Sequence, residues 1–337
     1  MRAVVFHGAN DLRIDTVPDP DLAPGEVMLE VRAAGICGTD RHIVAGELGV
    51  AAGTVPGHEI AGVVTAVGTG VDGVVVGDRV LSYGQVTCGA CRACLEGNEH
   101  RCRRPEVLGM NRQGGFAELV AIPHQILIPI PDEVSDEVAA IVPDAIATPY
   151  HALVSIGKIR AGEIVVVVGA GGLGLQAIAI ARMAGARRIV AVDPSPDARD
   201  AALAVGADDV VDPASGDGSK SIFERSGGPS LVVECVGRAE SVELGAASLA
   251  PGGRLVIVGV GHDHPRLPSL IRFVAGENSV SGSFGSTLAE IRTVLDLIAS
   301  ERLDVTHAIS RTITLDEVPG VFEHAPTPGR TVMVQHR

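Results

Sequence analysis

The sequence predicts an α/β protein built around a doubly wound parallel sheet. Two observations predict it. The stretch "IVVVVGAGGLGLQAIAIARMAGARRIVAVD", from Ile164, reads as strand, glycine-rich turn, helix and second strand. Apolar runs continue at "SLVVECVG" and "GRLVIVGV", separated by helical segments, as such a sheet requires. Composition agrees. Hydrophobic residues make up 46% of the chain but aromatics only 2%, with no Trp. The core is therefore Val, Ala, Ile and Leu, which suits strands buried on both faces.

The chain has 337 residues, too many for one ordinary core and enough for two domains. Charged residues at 20% fit a folded chain, not a disordered one. The 42 glycines have no period and read as turns and close approaches. A net charge of −14 with no basic run argues against nucleic acid as a partner. The start, "MRAVVFHGANDLRIDTV", reads as two short strands around a turn and not as a signal peptide. The most apolar window begins at Glu163, where glycines cut it into a strand of about six residues and a helix, so no membrane span is expected. The expectation is a cytoplasmic protein.

Next along the chain, Cys37 stands in "AAGICGTDRH" and His58 and Glu59 in "VPGHEIAG". Singly, such a cysteine reads as a small core residue and such a histidine as a satisfied polar group. Together they offer the mixed donors zinc prefers, and a catalytic site needs three ligands and one open position. The third ligand is Glu59 or a later carboxylate such as Asp144, an anion within the apolar "AAIVPDAIATPYHAL".

Cys88, Cys91, Cys94 and Cys102 follow, four of the six cysteines in the chain, within fifteen residues. In a cytosolic chain disulfides are a poor explanation. The spacing C-x2-C-x2-C-x7-C suits a closed tetrahedral zinc site, with Gly89 and Gly97 letting the loop wrap. A closed site braces structure and leaves no place for a substrate.

Gly169, Gly171 and Gly174 then supply G-x-G-x-x-G between a strand and a helix, and Gly172 and Leu173 within that turn are expected to meet the cofactor with them. The first glycine allows the turn, the second admits a pyrophosphate, and the third packs helix on strand, with the phosphates at the helix N-terminus. Asp193 ends the next strand. It can accept hydrogen bonds from a ribose diol and repel a 2′-phosphate, favouring NAD over NADP.

With "GICGTDRH", "PGHEIAGVV", "GDRV", the cysteine lobe, "GAGGLG" and "GRTVMV" in this order, nearly the whole chain resembles the zinc-dependent medium-chain alcohol dehydrogenases, and within them the bacterial secondary-alcohol branch. The resemblance implies a GroES-like, β-rich catalytic domain at 1–146 and 284–337, with the structural zinc lobe at 84–105. It implies a Rossmann NAD-binding domain at 147–283. It also implies two zinc ions per chain, a homo-oligomer (dimer or tetramer), and reversible hydride transfer between an alcohol and NAD.

The catalytic ligands then map to Cys37, His58 and Asp144, where many members have Cys in the last place. Glu59 corresponds to a glutamate behind the zinc that can swing in, and Asp40 to a residue that orients the zinc histidine. Thr39 corresponds to the hydroxyl that takes the alcohol proton and His42 to the histidine that relays it. Thr148 corresponds to a residue beside the nicotinamide, Arg330 to an arginine at the pyrophosphate, and Val258 and Ser283 to backbone contacts of the carboxamide. Where several relatives have a Lys near the adenosine ribose, this chain has Ala198 beside Arg199. Gly84 and Leu48 stand where relatives carry aromatics facing the substrate, which suggests secondary or bulky alcohols; Tyr83 or Met110 could instead fill that space. A polyol, sugar or amino alcohol is an alternative substrate. A zinc-free reductase of the same superfamily, or an NAD- and zinc-binding protein without turnover, are the competing readings.

Overall fold

The computed structural model describes residues 1–214, 218–325 and 327–335. The chain forms two compact units. One comprises Met1–Asp144, Thr287–Ala299 and Ile309–Arg337; the other comprises Ala145–Ser286 and Ser300–Ala308.

The first unit begins with a hairpin, β1 (Arg2–Gly8) and β2 (Asp11–Thr16). It continues with β3 (Glu26–Ile36), β4 (Glu59–Val67), β5 (Arg79–Ser82), the short pair β6 (Gln85–Val86) and β7 (Glu106–Val107), β8 (Leu119–Pro123) and β9 (Leu127–Pro129). β3 is long and almost wholly buried, because it is the centre of a seven-stranded sheet and pairs with both β4 and β8. Its register sets Gly35 opposite Glu59.

The second unit holds β10 (Ile164–Val168), β11 (Arg188–Val192), β12 (Asp209–Val211), β13 (Leu231–Glu234), β14 (Arg254–Ile257) and β15 (Ser279–Gly282). All six are parallel, in the order β12-β11-β10-β13-β14-β15. Every residue of β10 is buried, as the aliphatic run requires of a strand covered on both faces. The helix Pro196–Val205 shows how local chemistry sets the boundaries. Ser195 caps it by accepting from the Ala198 N–H, Pro196 fits the first turn, and Gly206 ends it. The chain then returns to the first unit's sheet with β16 (Ile309–Ile313) and β17 (Arg330–Val334), the latter pairing with β3.

Two local features differ from the sequence expectation. The return is not continuous from 284, because Ser300–Ala308 packs with the second unit. Leu303 and Val305 are buried there, and this segment shares a cavity wall with Ala179 and Met183 of the helix Gly172–Met183. The second is a further long apolar run that the sequence expectation did not single out, the helical Asp136–Ile156. It is 21 residues long, and 72% of its most apolar window is buried within the protein. Pro143 and Pro149 interrupt that run. A proline lacks the N–H that an α-turn needs, and wide π-type turns form at Val142–Ile146 and His151–Ile156. The first of these carries Asp144.

Candidate active site and metal centres

Four segments of the first unit bring their ends together. β3 finishes at Ile36, and Cys37 caps the helix Gly38–Val44. His58 directly precedes β4, Glu59 opens it, the π-turn presents Asp144, and Arg330 opens β17. Cys37 Sγ lies 3.0 Å from Asp144 Oδ2, and His58 Nε2 lies 3.9 Å from that oxygen. One donor atom from each of Cys37, His58, Glu59 and Asp144 falls within 4.8 Å of all the others. Zinc–donor bonds of about 2.0–2.3 Å set tetrahedral donors about 3.3–3.8 Å apart, so the set fits a zinc ion. Glu59 is wholly buried while Asp144 is 29% exposed, so solvent reaches the set on the Asp144 side.

Charges around the set are arranged tightly. Arg330 donates to Glu59 Oε1 from Nε at 3.1 Å and from Nη2 at 2.6 Å, and Nη2 also meets Asp144 Oδ2 at 2.6 Å. Burial pushes the Glu59 carboxyl up to about 8, against the pull of Arg330. Burial would raise Asp144 as well, but His58 and Arg330 outweigh it and hold Asp144 well below the usual carboxylate range. Burial would lower His58, yet Asp144 and Cys37 draw it well above an ordinary imidazole. Asp40 is fully buried; its Oδ2 accepts from the Cys37 N–H at 2.8 Å, and its Oδ1 faces His58 Nδ1 at 3.7 Å. Thiol, imidazole and carboxylate brought this close together are the donor types that a zinc ion takes.

The family resemblance puts Arg330 at the pyrophosphate; within the first unit its guanidinium meets Glu59 and Asp144. It does so because β17 lies beside β3, with Thr331 opposite Ile36, next to Glu59 and Asp144.

Thr39 stands beside the set, its Oγ1 3.7 Å from Cys37 Sγ. His42 is exposed on the same helix, and its Nδ1 lies 2.6 Å from Glu47 Oε2. Sequence reasoning missed Glu47. It comes close because the helix ends at Ala45 and the Glu47 N–H turns back to the His42 carbonyl, a contact that no motif announces. Gly84 packs on the metal set: a Cβ there would lie 3.1 Å from the His58 carbonyl oxygen and 3.7 Å from His58 Cδ2. Tyr83 is buried beside Glu99 and Glu290, where burial and those acids push its phenol up. Leu48 is exposed.

The sulfurs of Cys88, Cys91, Cys94 and Cys102 also lie within 4.8 Å of one another, with Cys88–Cys94 at 3.9 Å and Cys91–Cys94 at 3.5 Å. All six cysteines are free thiols. Zinc–sulfur bonds of about 2.3 Å put sulfurs about 3.8 Å apart, so this set fits zinc as well. Backbone N–H groups of Cys94 and Arg103 bring the Cys91 thiol down to about 6, toward the thiolate a metal needs. The lobe is joined to its own unit through Glu99, which accepts from the Leu288 N–H at the start of the helix Leu288–Ala299.

In the second unit the glycine fingerprint occupies its expected turn between β10 and the helix Gly172–Met183. A Cβ on Gly174 would lie 1.8 Å from the Gly169 carbonyl oxygen, so no side chain fits there. Gly172 and Leu173 form the first turn of that helix. Asp193 follows β11; its Oδ2 accepts from the Ala170 N–H and its Oδ1 from the Ser195 N–H, both at 2.8 Å. Arg199 donates to the carbonyls of Asp193 and Pro194. Thr148 is buried. The Val258 N–H donates to the Glu234 carbonyl and the Ser283 N–H to the Ile257 carbonyl, so either residue can meet a ligand only through its carbonyl or, for Ser283, its hydroxyl. The turn, the helix N-terminus and the acid after β11 fit a dinucleotide.

Residues 23–132 match the family model for the alcohol dehydrogenase GroES-like domain, and residues 172–300 that for zinc-binding dehydrogenases. The chain is 32% identical to an L-threonine 3-dehydrogenase of Rhizobium etli, over 99% of this chain and 98% of the relative. It is 31% identical to the sorbitol dehydrogenase of Bacillus subtilis, over 96% and 93%. Among solved structures, the alcohol dehydrogenase TADH from Thermus sp. ATN1 aligns with a TM-score of 0.92 at 32% identity, covering 99% of both chains.

Proposed function

The chain belongs to the zinc-dependent medium-chain alcohol dehydrogenases, and from that premise we propose that it oxidises a secondary or bulky alcohol with NAD and reduces the corresponding ketone or aldehyde. One observation carries the substrate class. Beside the metal set, position 84 is a glycine, and the Cβ it lacks would lie 3.1 Å from the His58 carbonyl oxygen. With no bulky side chain at that position, the wall sets none against the second substituent of a secondary carbinol. The named activities of two relatives, on threonine at carbon 3 and on sorbitol, support the same class and favour an amino alcohol or polyol as the second reading.

Cys37, His58 and Asp144 hold the catalytic zinc, with Glu59 as an alternate ligand and Asp40 orienting His58; the four-cysteine lobe holds the structural zinc. When bound, the zinc supplies Lewis acidity that makes an alcohol more acidic, and the nicotinamide supplies the hydride acceptor. An oxygen ligand at Asp144, in place of a softer thiolate, keeps the site more Lewis acidic. Thr39 accepts the alcohol proton at its hydroxyl, and His42 passes it to solvent while Glu47 holds the far side of the imidazole ring. Arg330 neutralises the two carboxylates behind the site. Asp193 meets the adenosine ribose, Thr148 lies against the nicotinamide, and Val258 and Ser283 meet the carboxamide.

Six free thiols support a reducing, cytoplasmic setting. Association with a second copy is supported by β15, an open edge strand, and by the exposed Leu270, Ile271 and Val274 nearby in the chain. Sedimentation of the purified chain tests that association.

The test of function is a panel: ethanol, 2-butanol, a cyclic secondary alcohol, sorbitol and threonine, each followed by NADH absorbance. Ethanol turning over fastest overturns the substrate class. No NADH with any of them, in protein holding two zinc ions, leaves a binding protein without turnover.

A further inference from the structure

The six-stranded sheet changes its direction of growth between β10 and β13. In doubly wound sheets a dinucleotide lies across the carboxyl ends of the strands at that point. Glu234 is the last residue of β13, on the side of the crevice opposite the glycine fingerprint. Its side chain is fully buried, at 0% exposure. No salt bridge to it exists among the described residues.

A group so deeply buried is kept by the donors around it. Oε1 accepts three hydrogen bonds: from the Val236 N–H at 2.7 Å, the Gly237 N–H at 2.9 Å and the Ser241 hydroxyl at 2.7 Å. Oε2 is buried and has no hydrogen-bond partner among the described residues. The backbone carbonyl of Glu234 accepts from the Val258 and Gly259 N–H groups, at 2.8 and 3.1 Å. One residue therefore ties the loop 235–238 to itself and the end of β14 to β13.

That loop packs against the segments on either side of it. A Cβ on Gly169, the first glycine of the fingerprint, would lie 2.6 Å from Val236 Cγ2. Beyond β14, Cβ atoms on Gly259 and Gly261 would lie 2.1 Å from the Gly237 nitrogen and 2.0 Å from its carbonyl oxygen. Both neighbours are glycines because the loop's backbone occupies the space where a side chain would go. Where the loop sits fixes the spacing between the phosphate turn and the segment after β14.

We propose that Glu234 is a positioning residue for the dinucleotide: through Oε1 it holds the loop 235–238 in the place that keeps the crevice shaped for the cofactor. The inference rests on NAD binding at this crevice. What matters is the acceptor oxygen, which an amide also supplies, so Glu234→Gln keeps the function while Glu234→Ala loses it.

The experiment titrates NADH by fluorescence into the zinc-loaded full chain and its E234Q, E234A and S241A variants. KM for NAD, kcat at saturating NAD, zinc content and melting temperature without cofactor are measured in parallel. E234A should weaken NADH binding about tenfold or more, and S241A about threefold, as expected for lost hydrogen bonds to one acceptor. E234Q should stay within about threefold of wild type, and kcat at saturation and both zinc ions should be retained. A lower melting temperature with unchanged NADH affinity would mean a structural role only and overturns the proposal, as does E234Q losing as much affinity as E234A. If E234A does not fold, S241A binding NADH like wild type overturns it. Wild-type protein failing to bind NADH at all would instead sink the cofactor reading beneath it.

Discussion

Glu59 occupies the space a side chain on Gly35 would need: a Cβ there would lie 1.8 Å from Glu59 Oε2 and 2.8 Å from Ile141 Cγ2. The two residues face each other across the β3–β4 ladder. Glu59 cannot swing away freely, because it is fully buried and its other oxygen is bonded to Arg330. Gly35→Ala should therefore cost about 1–3 kcal/mol of stability, as overpacking does. It should also lower zinc occupancy at the Cys37 set. Melting temperature and elemental analysis check both; a variant equal to wild type in each would mean that Glu59 moves without penalty.

The two metal sets should separate cleanly. Cys94→Ser should remove one zinc ion and lower stability, because the lobe carries Glu99 to the start of the helix Leu288–Ala299. The folded fraction should still bind NADH. His58→Ala should leave a folded, NADH-binding chain with one zinc and no turnover. A wild-type content of one zinc per chain would sink this scheme.

Cofactor choice turns on Asp193. Wild type should show a higher kcat/KM with NAD than with NADP. Asp193→Gly should narrow that gap, and it should weaken NAD binding as well, because Asp193 also holds the Ala170 N–H in the phosphate turn. Arg199 is engaged by the carbonyls of Asp193 and Pro194, which favours neither cofactor while those bonds last. A wild-type preference for NADP would show that Arg199 leaves those bonds to meet a 2′-phosphate.

A pH-dependent contribution sits in the second unit, at Glu163. Burial would raise the Glu163 carboxyl, but the hydrogen bonds from Arg254, at 2.6 and 2.9 Å, and from the Arg160 N–H bring it below its ordinary value. A depressed folded pKa means that Glu163 stabilises the fold above the unfolded carboxylate value. That contribution disappears as pH falls through the folded one. Glu163→Gln should therefore lose about 1 kcal/mol at pH 7 relative to wild type, with the difference shrinking below pH of about 4. Urea unfolding of both proteins at the two pH values measures it; a constant difference would rule out the charge as the cause.

Much of this was legible in the sequence, for reasons that differ by residue. The four-cysteine spacing and the glycine fingerprint are local: their geometry lies within a few residues, so the pattern alone carries it. Cys37, His58 and Asp144 are far apart in the chain; their donor chemistry suggested a set with its third ligand open between Glu59 and Asp144, and the family resemblance chose Asp144. The contacts of Arg330 with Glu59 and Asp144 carry no motif, because they depend on β17 lying beside β3. Glu47 and Glu234 carry no motif, since each acts through a backbone turn that appears only once the helix end or the strand end is built. The Ser300–Ala308 excursion turns on two apolar residues, Leu303 and Val305, too few to signal a change of unit.

Substrate size is the sharpest test of the functional reading. Gly84 does not sit in the left-handed region, so a side chain there meets no backbone strain. Its Cβ would stand 3.5 Å from His58 Cβ, an ordinary contact, and 3.1 Å from the His58 carbonyl oxygen, tight by a few tenths of an ångström. Gly84→Ala should therefore fold normally, and Gly84→Phe should place a ring beside the metal set. Tyr83 already packs beside Glu99 and Glu290, so its ring does not need to move to make room. Loss of fit at one wall is worth about 1–3 kcal/mol, or roughly ten- to two-hundredfold in kcat/KM. Gly84→Phe should cost that much with a cyclic secondary alcohol, less with 2-butanol and least with ethanol. If the large alcohols were unaffected while folding and zinc content stayed intact, the bare backbone at Gly84 would not be what admits them.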